Sequence, residues 1–378
     1  MNAGHEALKS LASRWHSPPL QALLPEFGPA ARALRDMSDD AQSWPPEALK
    51  LFRALGVFRC ARPSEVGGLD FTPMQQTRVI EEIGRIDLSA AWRCMIGMDS
   101  GIYYRYLQPP HARELACDPD SIAAGWVFPA GHARKVTGGY VVSGLWHFGS
   151  GIDDANLVVA GCRVEGAAPT DAPILVAAPQ TAFEINRSSW DVTGLRASGS
   201  FSYSVRDLRV PAGCCFTLDA PVHPGPLTRR NNALVRKMPG VALGAMRGLL
   251  DWLLLKGGAR DSMAELLARQ EYAYLAARTA VYATLEDEWT FLCSGEEVPA
   301  RNRAMQAMAR REAFLAARHC AREVLDFCGT AALRGGSGPL IRMLRDLDAA
   351  CQHAVVKPAI AHAAGSLLMG KESVEIFV

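Results

Sequence analysis

The sequence predicts an α+β multi-domain chain in three parts: helical, then β, then a helical bundle. Three observations carry this. Helical apolar spacing dominates up to about residue 115, short β-branched runs broken by Gly and Pro fill about 121–218, and long Ala-rich segments follow. The 378 residues exceed what one core usually holds, so two or three packed subdomains are expected. We place them at 1–115, 116–225 and 226–378.

In the first part, Pro45-Pro46 precede the amphipathic EALKLFRALG, which should stop at Gly56. A second helix is expected over Pro73–Ile86. A third spans SAAWRCMIGMDSGIYYRYL, apolar almost all round and therefore buried. The middle part reads KVTGGYVVSGLW, NLVVAGCRV, APILVAAP and FSYSVRDLRVP, as in a small antiparallel sheet or barrel, with Gly138-Gly139 marking a hairpin turn. After the Pro-rich PVHPGPL, two long Ala-rich helices precede a shorter one running from Pro339 to His353.

Composition removes several classes of function. Apolar residues make up 49% and charged residues 21%, ordinary for a globular protein. Forty Lys+Arg against 39 Asp+Glu leave a net charge of +1, so no bulk attraction to nucleic acid or an anionic membrane is expected. The local basic cluster Arg229, Arg230, Arg236 and Lys237 reads as a solvated loop. No signal peptide and no membrane-length apolar run are seen, which points to a cytoplasmic protein. The ten cysteines form no CxxC and no zinc spacing, so reduced thiols and no metal are expected.

No GxGxxG, Walker loop, GxSxG or HExxH is present, which argues against nicotinamide or ATP bound in the usual modules. Two segments carry candidate chemistry. In Ser143–Gly151, Trp146 and Phe148 alternate and so share one side of a strand, Ser150 offers a hydroxyl, and glycines permit close approach. That is either a platform for a planar cofactor or a Trp-anchored hairpin. In the helix from Pro339 to His353, Asp346 and His353 stand seven residues apart on nearly the same face, a carboxylate and an imidazole able to reach one pocket. The alternative is a histidine that merely packs.

Three segments together resemble the acyl-CoA dehydrogenase-like flavoproteins: ARPSEVGGLDF followed by VIEEIGRIDLSAAW, then SWDVTGLRASGSFSYSVRDLRVP, then Gly335–His353 with its P-L-x-R-x-x-R-D pattern. The resemblance implies an N-terminal helical domain, a middle β-barrel, a C-terminal four-helix bundle and a homotetramer. Many dehydrogenases of this kind carry a catalytic Glu two residues before the Pro of that helix; here the position is Ser337. W-x-F-x-S-G and R-D followed by His353 are instead similar to the oxygenase components of two-component flavin-dependent monooxygenases, the hydroxyphenylacetate and steroid-phenol hydroxylases among them.

That branch implies a separate reductase, reduced flavin (FMN rather than FAD), O2, a C4a-hydroperoxyflavin and an aromatic or other electron-rich small molecule as substrate. By the same resemblance Ser150, His353 and Asp346 are the catalytic candidates. Ser150 would bond near flavin N5, His353 would manage the proton, and Asp346 would orient the helix. Trp92, Val127, Pro129, Ser150, Arg260, Ala331, Ala332 and His353 would hold the flavin, Arg260 and the alanine pair at its phosphate end. The loop departs from the family pattern at Ala197-Ser198-Gly199-Ser200, where Gly-Thr-Gly-Ser is commoner. The alternatives are an FAD-dependent desaturating dehydrogenase with its base elsewhere, or a non-catalytic scaffold.

Overall fold

A computed structural model describes residues 3–16, 25–35, 41–168, 171–257, 261–333, 338–373 and 377–378. Arg260 and Ser337 lie outside the described residues. Among the described residues seven helices come first: α1 (Ala3–Ala12), α2 (Gly28–Arg35), α3 (Pro46–Leu55), α4 (Pro73–Ile86), α5 (Leu88–Gly97), α6 (Ser100–Tyr104) and α7 (Pro109–Leu115). Seven strands follow: β1 (Ala123–Val136), β2 (Gly139–Gly149), β3 (Leu157–Val164), β4 (Ile174–Pro179), β5 (Glu184–Asn186), β6 (Phe201–Pro211) and β7 (Cys215–Phe216). The chain then returns to helix in α8 (Pro239–Gly257), α9 (Ala264–Ser294), α10 (Ala300–Cys328), α11 (Gly338–Ala350) and α12 (Pro358–Leu368).

Local chemistry accounts for the boundaries. α3 has Pro in its first turn and ends at Gly56, whose left-handed φ of 82° lets its N–H reach the Arg53 carbonyl. α4 opens with a capping box in which Gln75 N–H donates to Thr72 Oγ1 at 3.3 Å and Thr72 N–H donates to Gln75 Oε1 at 2.9 Å. Asp87 caps α5 by accepting from Ala90 N–H at 2.8 Å. The single helix expected over residues 89–107 is instead two, broken at Met98–Asp99. The break brings Asp99 to the buried Lys237 ammonium, and it seats Gly101 so tightly that a Cβ there would lie 2.4 Å from the Arg62 backbone nitrogen.

The sheet is open rather than a barrel, in the order β5-β6-β2-β1-β3-β4-β7. Its neighbours are antiparallel except for the parallel pair β1/β3. A barrel requires the first and last strands to pair; here the ends are β5, three residues long, and β7, two. The predicted hairpin is present, with Val136 opposite Gly139 and Gly138 at φ 82°. β1 and β3 lose register between Trp126 and Gly131, a bulge that contains Val127, Phe128 and Pro129. Such irregularities re-aim side chains, and Pro129 brings no N–H to a ladder.

One apolar core links the helical regions, a second lies within the sheet around Trp146 and Tyr203, and a third joins α10 and α12. The basic cluster is not a solvated loop. Arg236 and Lys237 are fully buried; Arg230 and Arg236 pair with Glu288, and Lys237 pairs with Asp99. A buried charge needs such a partner. All ten cysteines are free. Among the described residues no helix is long and apolar enough to cross a membrane, and no His/Cys/Asp/Glu group fits a metal ion.

Candidate active site

α5 is the element on which the candidate residues converge. Its Asp87 cap orients the helix so that buried Trp92 points its indole at the end of β2, where Nε1–H donates to Ser150 Oγ at 3.2 Å. The Trp92 ring also meets the His353 imidazole edge-on, with centroids 5.4 Å apart. Three sequence-predicted residues, from α5, the turn after β2 and the segment after α11, are thereby brought together.

His353 arrives by a different route from the one its spacing suggested. α11 ends at Ala350, and His353 instead caps the following 3-10 turn Ala354–Val356. It is therefore not two turns above Asp346 on one helix face. Val355 N–H donates to Nδ1 at 3.4 Å, which leaves the ring proton on Nε2 when the imidazole is neutral. Burial, reinforced by Arg310 and Lys357, pushes its pKa down to about 4. At neutral pH the imidazole is a neutral N–H donor.

Asp346 does not face the imidazole. One carboxylate oxygen accepts from Leu195 N–H at 2.6 Å and the other from Ser89 at 3.4 Å. It holds down the loop between β5 and β6, where Leu195 has a left-handed φ of 56°. Burial and then the neighbouring Asp87 raise its pKa to about 7, against the Leu195 bond, Arg342 and Ser89. A carboxyl raised in the fold favours it below the ordinary value near 3.8, and that benefit is lost as pH rises through about 7. Asp346→Asn keeps an acceptor for Leu195 without the titration. Its stability relative to wild type should therefore improve between pH 5 and pH 8, as measured by chemical denaturation. An unchanged difference across that range would contradict the assignment.

The same loop is seated by a glycine. A Cβ on Gly194 would lie 2.0 Å from the Arg345 carbonyl oxygen in α11. Gly194→Val should lift the loop, break the Leu195–Asp346 bond and weaken cofactor binding about tenfold or more; a titration with unchanged affinity would refute this. Arg93, next to Trp92, clamps the loop from the other side. Its guanidinium donates to Ala197 O at 3.3 Å, pairs with Asp154 and stacks over Trp44 at 4.3 Å.

Inside the loop, Ser200 Oγ lies 2.7 Å from both Ser150 Oγ and Ser198 Oγ. These serines, with Arg93, were missed in the sequence. Ser-Gly-Ser reads as loop punctuation, and only the fold places it against Ser150.

Trp146 and Phe148 do not share a face. Trp146 is fully buried in the sheet, donating to Gly161 O at 2.8 Å and stacking on Tyr203. Phe148, with φ 61°, breaks the alternation and is 52% exposed. Its ring meets Trp126 at 5.3 Å and Trp190 at 6.2 Å, and Trp126 meets Phe128 at 5.0 Å. Val127 and Pro129 lie in the β1 bulge, half-buried. Ala331 and Ala332 occupy the 3-10 segment Gly329–Leu333 after α10.

Family models and relatives agree with this layout. Residues 27–108 match the acyl-CoA dehydrogenase N-terminal domain and residues 240–358 its C-terminal domain. An indole-3-acetate monooxygenase of Pseudomonas putida is 28% identical over 345 residues, covering 86% of this chain and 87% of its own. The flavin-dependent monooxygenase oxygenase subunit HsaA of Rhodococcus jostii is 26% identical over 372 residues, covering 91% and 95%. The crystal structure of 3-HSA hydroxylase from Rhodococcus sp. RHA1 superposes with a TM-score of 0.86 at 22% identity, covering 99% of each chain. The two matched domains bracket the sheet and together span more than half of the sequence; the chain belongs to the acyl-CoA dehydrogenase family, on the branch of flavin-dependent monooxygenase oxygenase components.

Proposed function

We propose that the protein is the oxygenase component of a two-component system, using reduced flavin and O2 to hydroxylate an aromatic or other electron-rich small molecule. The observation that carries this reading is the cluster of Trp92, Ser150 and the neutral His353. It supplies an apolar wall, one hydroxyl and one N–H donor, with no carboxylate among the three. The exposed Phe148 ring and the half-buried Trp126 and Phe128 offer flat apolar surface of the kind a flavin ring needs. Bound there, the flavin supplies the oxygen chemistry. Trp92 and the bulge residues Val127 and Pro129 would hold its edge, Ser150 would bond near N5, and His353 would offer its Nε2–H as a donor, with the aromatic walls excluding water.

A desaturating dehydrogenase needs a carboxylate base at the substrate. Ser337 replaces the usual Glu, and Asp346 is already bound to Leu195 and Ser89. Reduced flavin comes from a separate reductase, with FMN preferred over FAD. A homotetramer is supported by exposed apolar side chains on the bundle: Leu255 (85%), Tyr272 (73%) and Leu275 (54%).

The test is to mix the protein anaerobically with reduced FMN and a phenolic or indolic substrate, then add O2. Hydroxylated product in proportion to flavin oxidised supports the reading. Protein isolated with tightly held FAD that an acyl thioester reduces, with no product from O2, overturns it.

A further inference from the structure

We propose that Phe377 is a positioning residue that braces the β1 bulge, and with it Val127 and Pro129, against the helix that also holds the His353 turn. This rests on the reading above that the flavin edge lies at that bulge. The bulge has little support of its own. β1 and β3 lose register between Trp126 and Gly131, and Pro129 has no N–H to give to a ladder. Trp126 N–H donates to the Tyr203 hydroxyl at 2.7 Å instead of to a strand.

A stretch without regular pairing keeps its shape through packing, and two contacts supply it here. Gly161 of β3 lets the bulge approach so closely that a Cβ there would lie 2.3 Å from the Val127 carbonyl oxygen and 2.5 Å from that of Phe128. The second contact comes from the far end of the sequence. Phe377 meets Phe128 edge-to-face, with centroids 5.9 Å apart and planes at 85°. Phe377 is buried, and Val127 and Phe128 pack against the same core to which it belongs.

Phe377 is in turn held by α10. The buried Arg310 guanidinium donates to Phe377 O at 2.6 Å. The next residue, Arg311, donates to Val356 O at 3.0 Å, at the end of the 3-10 turn that His353 caps. Successive side chains of one helix thus fix the two segments that carry Phe377 and His353. Arg310 also stands near enough to the imidazole for its charge to help lower the His353 pKa. The bulge and His353 therefore share one frame, and a flavin edge held at the bulge stays in register with the imidazole. Val378 serves a different contact, packing with Ala304, Ile360 and Leu367 of α10 and α12.

Without the Phe377 ring, the bulge must be ordered when flavin binds, at the expense of affinity. Phe377→Ala should weaken binding of reduced FMN about fivefold, the worth of one edge-to-face ring pair expressed as affinity. Anaerobic ultrafiltration measures this. Product per flavin oxidised should fall as well, and neither quantity depends on how much of the preparation is folded. In a Phe128→Ala background, Phe377→Ala should cost less than about twofold further, since the contact is already gone. Val378→Ala, which loosens the same segment elsewhere, should lower stability but leave affinity within about twofold. Should Phe377→Ala fail to fold, Phe377→Leu, which keeps apolar bulk without the ring, carries the same test at about threefold.

Unchanged affinity in the Phe377 variants would overturn the proposal. So would full additivity of the Phe377 and Phe128 losses, or a Val378→Ala protein as weak as Phe377→Ala. A wild-type protein that does not bind reduced FMN would sink the reading of the site itself, an outcome distinct from failure of the brace.

Discussion

Replacing His353 with alanine should uncouple the enzyme: flavin oxidation continues, but oxygen leaves as hydrogen peroxide and product per flavin oxidised falls by about 10²-fold. The argument is geometric. Val355 N–H occupies Nδ1, so the ring keeps its hydrogen on Nε2 and packs edge-on against Trp92, whose indole bonds Ser150. A fixed donor aimed at a dry site is worth about 10²–10³ in rate, because no solvent must reorganise during reaction. The depressed pKa, about 4, keeps that donor neutral, so coupling should not titrate through His353 between pH 5 and pH 8. Alanine also removes the cap on the following 3-10 turn. His353→Asn separates the two effects, since its amide can accept from Val355 and still donate one N–H. It should retain more coupling than His353→Ala. Product yield in His353→Ala within a few-fold of wild type, by chromatography alongside a peroxide assay, would remove His353 from the chemistry.

The second large effect is expected at Glu81, which bears on stability. Its carboxylate, 1% exposed, accepts from Arg278 at 2.8 Å, Tyr274 at 2.6 Å, Tyr282 at 2.7 Å and Arg78 at 3.3 Å. Burial works against its charge, but Arg278, Arg78 and the hydrogen bonds hold its pKa below the ordinary value. The cluster ties α4, which leads into the Trp92 helix, to α9 of the bundle. Among the described residues, Glu81→Ala leaves the Tyr274 and Tyr282 phenols without this acceptor and leaves Arg278 only the Trp15 carbonyl and Arg78 only Glu82, at a cost of about 3–5 kcal/mol. Denaturant unfolding should show this, and adding Arg278→Met should recover part of the loss. A Glu81→Ala protein as stable as wild type would show that water replaces the carboxylate.

Much of the fold was legible because the signals were local. Pro45-Pro46, Gly56 and Gly138-Gly139 all act within a few residues of themselves. Periodicity cannot see a break that is made from outside. The split at Met98–Asp99 depends on Lys237, which lies 138 residues away. The open sheet likewise depends on which strands end unpaired. At the site, the resemblance pointed to Trp92, Ser150 and His353, which do come together. Helical spacing misplaced His353, because α11 stops three residues short of it, and misassigned Asp346, whose partner is a backbone N–H 151 residues away. Phe148 could not be placed by alternation once its φ turned positive.

The sheet ends in strands of three and two residues, and this has a bearing on colloidal behaviour. A long free edge offers a row of unpaired amides and carbonyls on which a second chain can add. β5 and β7 are themselves too short to serve, and the stretch of β6 that runs on beyond β5's three pairs carries Arg206, Asp207 at φ 53°, Arg209 and Pro211, charges and breaks that discourage an added strand. Strand-to-strand growth is thereby disfavoured, and the exposed apolar side chains Leu255, Tyr272 and Leu275 stand on the helices instead.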